Sequence, residues 1–592
     1  MTKPRSIYLR LLVWLRRLIR NDQLVLAALA LVVGCFTGIA VIGFRELIAI
    51  IQNVAFGSES EWFYQHAQSL PWWQILLVPT FGGLVVGGMI HRLMPNQRGQ
   101  SVADVIEATT FRGGWMSSRV GLRAALISAL SIGTGASVGR EGPAIHLGAS
   151  ISGWIGRRLH LTRSLTRTLL GCGVAAAVAA SFNAPIAGAL FASEVVVGHY
   201  ALKAFAPIVI ASVAGTALSR AWFGNFPAFA LNDIALESVL EFPAIVILGI
   251  VGGIAAIIFM HSIRLAQQAA EATPLPTWLR PAVAGLAVGV IALGFPQVLG
   301  VGYGVTESTL LMEFSLLMCI AIGLAKIAAT AISLGWGFGG GVFSPSLVIG
   351  AMVGAAFGII ATATFPDQSA GPTAYTVVGM GAVAAAVLGA PISTTLIIFE
   401  MTSDYALTLG VMVAVVVSSM ITHHFYGRSF FDVQLKHRGI DVKGGFESEI
   451  MHSIHMSDVF TANSETVRPD TRLQELRETL QRSPTGELFV VQETGELYGT
   501  ITLADLSDTA FDHGFDDLVC AGDVARMHPP VLTAGDDLET AMAMIMDTGE
   551  EHIAVVKDAD SMTFRGCVHQ RDIMNAYNKA LVKSHHAEHG DD

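Results

Sequence analysis

An arginine and a glutamate stand back to back in GASVGREGPAIHLGA, residues 135–149, among residues that are almost uncharged. The chain on both sides reads as membrane, where an ionisable side chain is costly and marks a functional site. The chemistry suggested by the surrounding residues is anion binding. A helix that begins inside a membrane leaves its first N–H groups unpaired, and its macrodipole places about half a positive charge there. Such an end suits an anion and needs no fixed full charge to hold it. Gly139 and Gly142 permit close backbone approach, and Pro143 in a first helical turn forfeits no hydrogen bond. Arg140 and Glu141 are therefore candidates for an anion site and its control.

The pattern is written twice. GREGPAIHLGA (139–149) is echoed by GVFSPSLVIGA (341–351), 202 residues later. APIAGALFASE (184–194) is echoed by APISTTLIIFE (390–400), 206 residues later. Between the members of each pair lies an Ala/Gly/Val-rich helix, GCGVAAAVAAS in one copy and GMGAVAAAVLG in the other. Broken helices at matching positions of two halves point to a binding site near the membrane midplane. Two Gly-rich loops, each entering a helix at a proline, would converge on a dehydrated anion. Glu194 and Glu400, which recur within the repeat, are expected to cap neighbouring helix ends.

The elements that must position these loops are membrane helices. Of 592 residues 52% are apolar and 14% charged, and mean hydropathy is +0.56. Apolar stretches such as 24–51, 205–223, 244–259 and 351–364 follow one another to about residue 438, and many approach the roughly 20 residues that a spanning helix takes. The expected architecture is an all-α polytopic membrane domain over 24–439, with repeat halves of about 24–222 and 242–438. A linker (440–455) and a soluble α/β region follow. Residues 1–23, with Arg5, Arg10, Arg16, Arg17 and Arg20 among apolar residues, read as an amphipathic helix on the inner leaflet, which places the N-terminus in the cytoplasm. No cleavage signal is present. The five cysteines lack ligand or disulfide spacing and read as packing residues. The net charge of −11 gives no sign of nucleic-acid binding. No nucleophile–base pair or metal ligand set appears within the membrane, so an enzyme is not expected. The tail, 581–592, reads as disordered, and its histidines are not expected to hold a metal.

GREGP and GVFSP resemble two of the three signature loops of the CLC family of chloride channels and chloride/proton exchangers, and the resemblance runs over 24–438. It implies a homodimer in the plasma (inner) membrane, with both termini cytoplasmic. Each subunit would have one chloride pore and two inverted, intertwined halves with broken helices. It also implies that Glu141 is the gating glutamate, competing with chloride, and that the N–H groups of Val342 and Phe343, beside Gly341, line the central site. Arg140 would support local structure and positive potential. A buried Arg140–Glu141 pair is disfavoured, because adjacent helix residues point different ways. The third loop, usually Gly-Ser-Gly-Ile-Pro, falls at RGQSVADVIEA (98–108). Gly99 fits, Gln100 stands where the serine would be, Ser101 comes one place later, and Ala103 replaces the proline. Either Gln100 or Ser101 would serve the ion. The tyrosine that closes the inner side aligns with Phe431, which has no hydroxyl; Tyr426 is near but out of register. Exchangers commonly carry a second glutamate directly after the position of Glu194. Here that residue is Val195, the pattern of the family's channels, although some exchangers also lack a carboxylate there. A passive channel is the expected mode, with a chloride/proton antiporter as the alternative.

Residues 456–512 and 520–580 resemble a tandem pair of CBS domains, β-α-β-β-α modules. GTITLADL (499–506) and GCVHQRDI (566–573) match the unit that holds adenine nucleotides in some such pairs. Thr502, Asp505 and Asp572 match its ligands, while His569 replaces a hydroxyl residue. No cofactor is otherwise required.

Overall fold

The computed structural model describes residues 22–60, 62–198, 202–225, 241–402, 404–440, 451, 454–462, 464–483, 485–506, 516–558 and 560–589. All but the last two positions of the amphipathic segment expected over 1–23 lie outside them. The chain forms two compact units, Met1–Val442 and Lys443–Asp592.

The first unit is helical, and among its described residues eight helices are long and apolar enough to cross a membrane. The first, Asp22–Phe56, has 35 residues. At 1.5 Å per residue it is about 52 Å long, well beyond a hydrocarbon core of roughly 30 Å. Phe36, Phe81 and Leu317 are exposed on the outer helix faces, as in helices solvated by lipid. Six helices build the interior around the motifs: α1 (Val102–Thr110), α2 (Glu141–Arg158), α3 (Pro185–Phe191), α4 (Phe343–Thr364), which is also one of the eight, α5 (Pro391–Thr402) and α6 (Phe430–Lys436). With nine or seven residues, α1, α3 and α6 are too short to span.

The sequence repeat is a structural one. In the first half α2 packs on Arg163–Phe182 so closely that a Cβ on Gly148 would stand 2.4 Å from the Gly173 carbonyl oxygen. In the second half a Cβ on Gly350 of α4 would stand 2.4 Å from the Gly379 oxygen of Pro372–Leu388. These glycines occupy corresponding repeat positions, and both contacts are of the small-residue type that lets membrane helices approach. Arg163–Phe182 and Pro372–Leu388 end alike, on left-handed Asn183 and Gly389, residues that tolerate this conformation.

The halves are also bound reciprocally. Glu400 accepts the N–H groups of Ile186 and Ala187 at 3.1 and 2.7 Å. Glu194 accepts those of Ile392 and Ser393 at 3.1 and 2.8 Å. Each carboxylate thus caps the N-terminus of the other half's helix, α3 or α5. The expected capping role is present, and the exchange of caps between halves is what a two-fold relation produces.

The second unit holds two β-α-β-β modules. In the first, β1 (Thr466–Val467) lies parallel to β2 (Glu487–Val491), which pairs antiparallel with β3 (Leu497–Thr502). Helix α7 (Leu473–Arg482) connects β1 to β2. Strand β4 (Arg526–Met527) joins the open edge of β3. In the second, β5 (Val531–Thr533), α8 (Leu538–Thr548), β6 (His552–Val556) and β7 (Phe564–His569) repeat the order and the pairing. Phe489, Leu497, Ala554, Val556 and Cys567 form one buried cluster across both modules. The last helix, α9 (Gln570–His589), corrects the expectation of a disordered tail from residue 581. Its sequence contains neither Gly nor Pro before Gly590, so neither of the strong helix breakers stops the helix.

Candidate functional site

Helices α2 and α4 begin against each other. Gly139 and Gly341 form an antiparallel bridge, with N–H···O distances of 2.7 Å from Gly139 to Gly341 and 2.8 Å in return. A Cβ on Gly341 would come within 3.0 Å of the Gly142 nitrogen; only glycine admits this approach. Pro143 and Pro345 each fall at the third position of their helix, within the turn whose N–H groups have no intrahelical acceptor. The two helix N-termini therefore meet, as the doubled loop pattern requires.

Glu141 is the first residue of α2 and 1% exposed. Its Oε1 accepts hydrogen bonds from Ser344 Oγ at 2.5 Å and Tyr303 OH at 3.1 Å, while Oε2 has no hydrogen-bond partner among the described residues. Arg140 Nε lies 3.9 Å from Oε1, and the guanidinium stands over the Tyr303 ring, 4.5 Å from its centroid. This corrects the expectation that the two charges would not meet. Arg140 precedes the helix with a right-handed backbone of its own; the charges meet because the Glu141 side chain folds back toward Gly139, its Oε2 lying 2.9 Å from where a Gly139 Cβ would stand. Tyr303 opens the helix Tyr303–Leu310 after a loop that Lys326 anchors. The Lys326 ammonium, fully buried, donates to the carbonyl oxygens of Val298 and Gly300 at 3.0 and 2.9 Å. Ser344, Tyr303 and Lys326 escaped the sequence reading. Lys326 did carry a signal, as the one charge in the apolar run LLMCIAIGLAKIAATAISLG; Tyr303 carried none.

Two cavities flank this carboxylate. One, of about 540 Å³, is lined by Gly99, Gln100, Ser101, Gly142, Gly341, Val342, Phe343 and Phe431. The three loop segments and the α6 position singled out from sequence thus line one space. The second, of about 260 Å³, is lined by Arg140, Tyr303 and the loop at Gly300–Gly302. Glu141 lines neither, yet the residue before it faces one cavity and the residue after it the other.

Details at the first cavity bear on the substituted positions. Ser101 is committed to local structure: its N–H donates to Asp104 Oδ2 at 2.7 Å and its hydroxyl donates to Gln434 Oε1 at 3.0 Å. Asp104 in turn pairs with Arg98 at 2.7 Å and Arg438 at 3.0 Å, tying α1 to the chain after α6. Phe431 is buried and packs edge-on against Phe430. Tyr426, out of register in sequence, lines the same cavity. Val195 sits in the π-helical turn Ala192–Val197, a local irregularity common at functional sites, and packs half-buried against the core.

In the second unit, Asp505 Oδ2 accepts from the Thr502 N–H and hydroxyl at 2.8 and 2.7 Å and faces Arg526 Nε at 3.2 Å. Asp572 lies in the first turn of α9.

With this geometry in view, comparison with known proteins is specific. Residues 82–423 match the family described as voltage gated chloride channel, and residues 456–511 and 521–579 match the CBS domain. A ClcB-like chloride channel protein of Ralstonia nicotianae is 34% identical over 400 residues, spanning 67% of this chain and 93% of that one. A voltage-gated ClC-type chloride channel, ClcB, of Escherichia coli is 30% identical over 409 residues, spanning 68% and 97%. The solved structure of a slow cyanobacterial Cl⁻/H⁺ antiporter superposes with a TM-score of 0.63 at 24% identity, covering 71% of this chain and 98% of that one. The chain is a multi-pass membrane protein of the CLC chloride-transport family, carrying a C-terminal pair of CBS domains.

Proposed function

We propose that this protein conducts chloride passively across the cell membrane, with Glu141 as a tethered anion that gates the path. The observation that carries the reading is the place of the Glu141 carboxylate between two cavities, at the meeting point of two helix N-termini. There an ionised side chain and a chloride ion compete for the same positive ends. Gly139, Gly142, Gly341, Val342 and Phe343 supply the backbone of the ion site. Gln100 supplies its side-chain amide, because the Ser101 hydroxyl is already engaged by Gln434. The functional unit is a homodimer in the inner membrane with both termini cytoplasmic.

Passive conduction, as against proton-coupled exchange, rests on Val195 and Phe431. Valine holds no proton, and phenylalanine offers no hydroxyl to an ion or an inner gate. A missing hydrogen bond there is worth roughly 1 kcal/mol, enough to shift a gate's population about five-fold. The second reading, a chloride/proton antiporter, is favoured by one observation: the Tyr426 phenol borders the same cavity as Phe431. Liposomes with independently varied chloride and proton gradients separate the two. The reversal potential is expected to follow chloride alone, and a chloride gradient is expected to drive no uphill proton movement. Protons pumped at a fixed ratio to chloride would establish the antiporter and a proton route around Val195.

The CBS pair is proposed to bind an adenine nucleotide through Thr502, Asp505 and Asp572. A ligand that binds only the folded state stabilises it, so millimolar AMP, ADP or ATP should raise the melting temperature of wild type. Ligand at 100 times its Kd contributes about 2.7 kcal/mol. Asp505→Ala is expected to abolish the shift; a wild-type protein that none of the three stabilises leaves the pair a purely structural module.

A further inference from the structure

The second CBS module gathers donors of a different kind. His552 opens β6 and His569 closes β7; the two are direct cross-strand partners, with ring centroids 4.3 Å apart at nearly right angles. His552 is buried. Its Nδ1 faces Glu487 Oε2 at 3.4 Å, which directs the ring proton to Nδ1 and leaves a lone pair on Nε2. That Nε2 is buried without a hydrogen-bond partner. A carboxylate behind one imidazole nitrogen, with the other nitrogen presented bare, is the arrangement that orients histidine toward a metal ion. Glu551 adds a carboxylate, and one donor atom from each of Glu551, His552 and His569 lies within 4.8 Å of the others.

We propose that Glu551, His552 and His569 form a zinc(II) site on the second CBS module, with Glu487 as the carboxylate that orients His552. Two imidazoles and a carboxylate suit a small divalent transition ion better than calcium or magnesium, which prefer all-oxygen shells. Zinc bonds of about 2.0–2.2 Å require the donors to draw together, and the exposed Glu551 side chain has room to do so. His569 stands on the neighbouring strand, directly across from His552. Its Nδ1 now accepts the Arg571 N–H at 2.8 Å, in the first turn of α9. The ring must turn from that bond to lend the metal a lone pair, so zinc binding exchanges a helix-end hydrogen bond for a metal bond. The ion would then tie β6 and β7 together, with Glu487 of the first module behind His552.

The test uses the full-length protein, purified without a polyhistidine tag and stripped with chelator. Equilibrium dialysis against Zn²⁺ should load one tight equivalent per chain, and Co²⁺ in its place should show the intense visible bands of a four-coordinate site. His552→Ala and His569→Ala should each weaken binding at least ten-fold. Glu487→Gln should weaken it up to about ten-fold at unchanged capacity, as expected of an orienting partner. The variant His585→Ala/His586→Ala/His589→Ala controls for the terminal histidines and should keep the tight equivalent. Should the alanine variants unfold, the wild-type cobalt spectrum and a zinc-dependent rise in melting temperature still decide the matter. Unchanged binding in His552→Ala and His569→Ala, loss of the equivalent in the terminal triple variant, or an octahedral cobalt spectrum overturns the proposal.

Discussion

Glu141→Gln should yield a folded protein whose chloride flux no longer depends on pH and, at neutral pH, is about ten-fold above wild type. In wild type the ionised carboxylate competes with chloride for the helix ends, and an uncharged side chain in its place competes poorly. The bonds from Ser344 and Tyr303 hold a carboxylate more strongly than a carboxamide. Hydrogen bonds to charged groups contribute about 1.5–3 kcal/mol against 0.5–1.5 for neutral ones, and a difference of about 1.4 kcal/mol is a factor of ten. Chloride efflux from liposomes between pH 4.5 and 7.5 provides the measurement. A well-folded Glu141→Gln protein without flux would remove Glu141 from the gate.

Loss of either cross-cap should destabilise the membrane unit, and by similar amounts. Glu194→Ala leaves the Ile392 and Ser393 N–H groups without their acceptor, and Glu400→Ala does the same to Ile186 and Ala187. The Ala187 and Ser393 bonds are part-buried and the Ile186 and Ile392 bonds exposed; an unsatisfied buried donor costs about 1–3 kcal/mol, so each variant should lose about that much and melt lower in detergent. Glutamine, which keeps one accepting oxygen, should recover part of the loss. The equality is the sharper test, since the four bonds are arranged as two copies of one pair. A variant that melts like wild type would show that its carboxylate is replaceable by solvent, and the two-fold account of these caps would fall.

The sequence by itself determined the membrane character, the doubling of the helical unit, the CBS pair and the candidate anion loops. Each is written locally, in apolar run length, in Gly and Pro at fixed offsets, or in motifs repeated 202 and 206 residues apart. Even the capping role of Glu194 and Glu400 was legible, since a carboxylate recurring after a Pro-led helix start has few other uses in an apolar setting. Which N–H groups each one meets was not legible, because the partners lie about 200 residues away and only the two-fold packing of the halves brings them together. The same limit hid the surroundings of Glu141. Tyr303, Ser344 and Lys326 come from three separate helices. Spacing also could not reveal that Arg140 would meet Glu141, since their contact depends on where the helix starts. Tyr426 reached the cavity from outside the expected register, and His552 acquired a carboxylate from the preceding module. Tertiary structure decided all of these contacts, because a side chain's partner is set by which surfaces pack, and packing joins residues that sequence distance keeps apart.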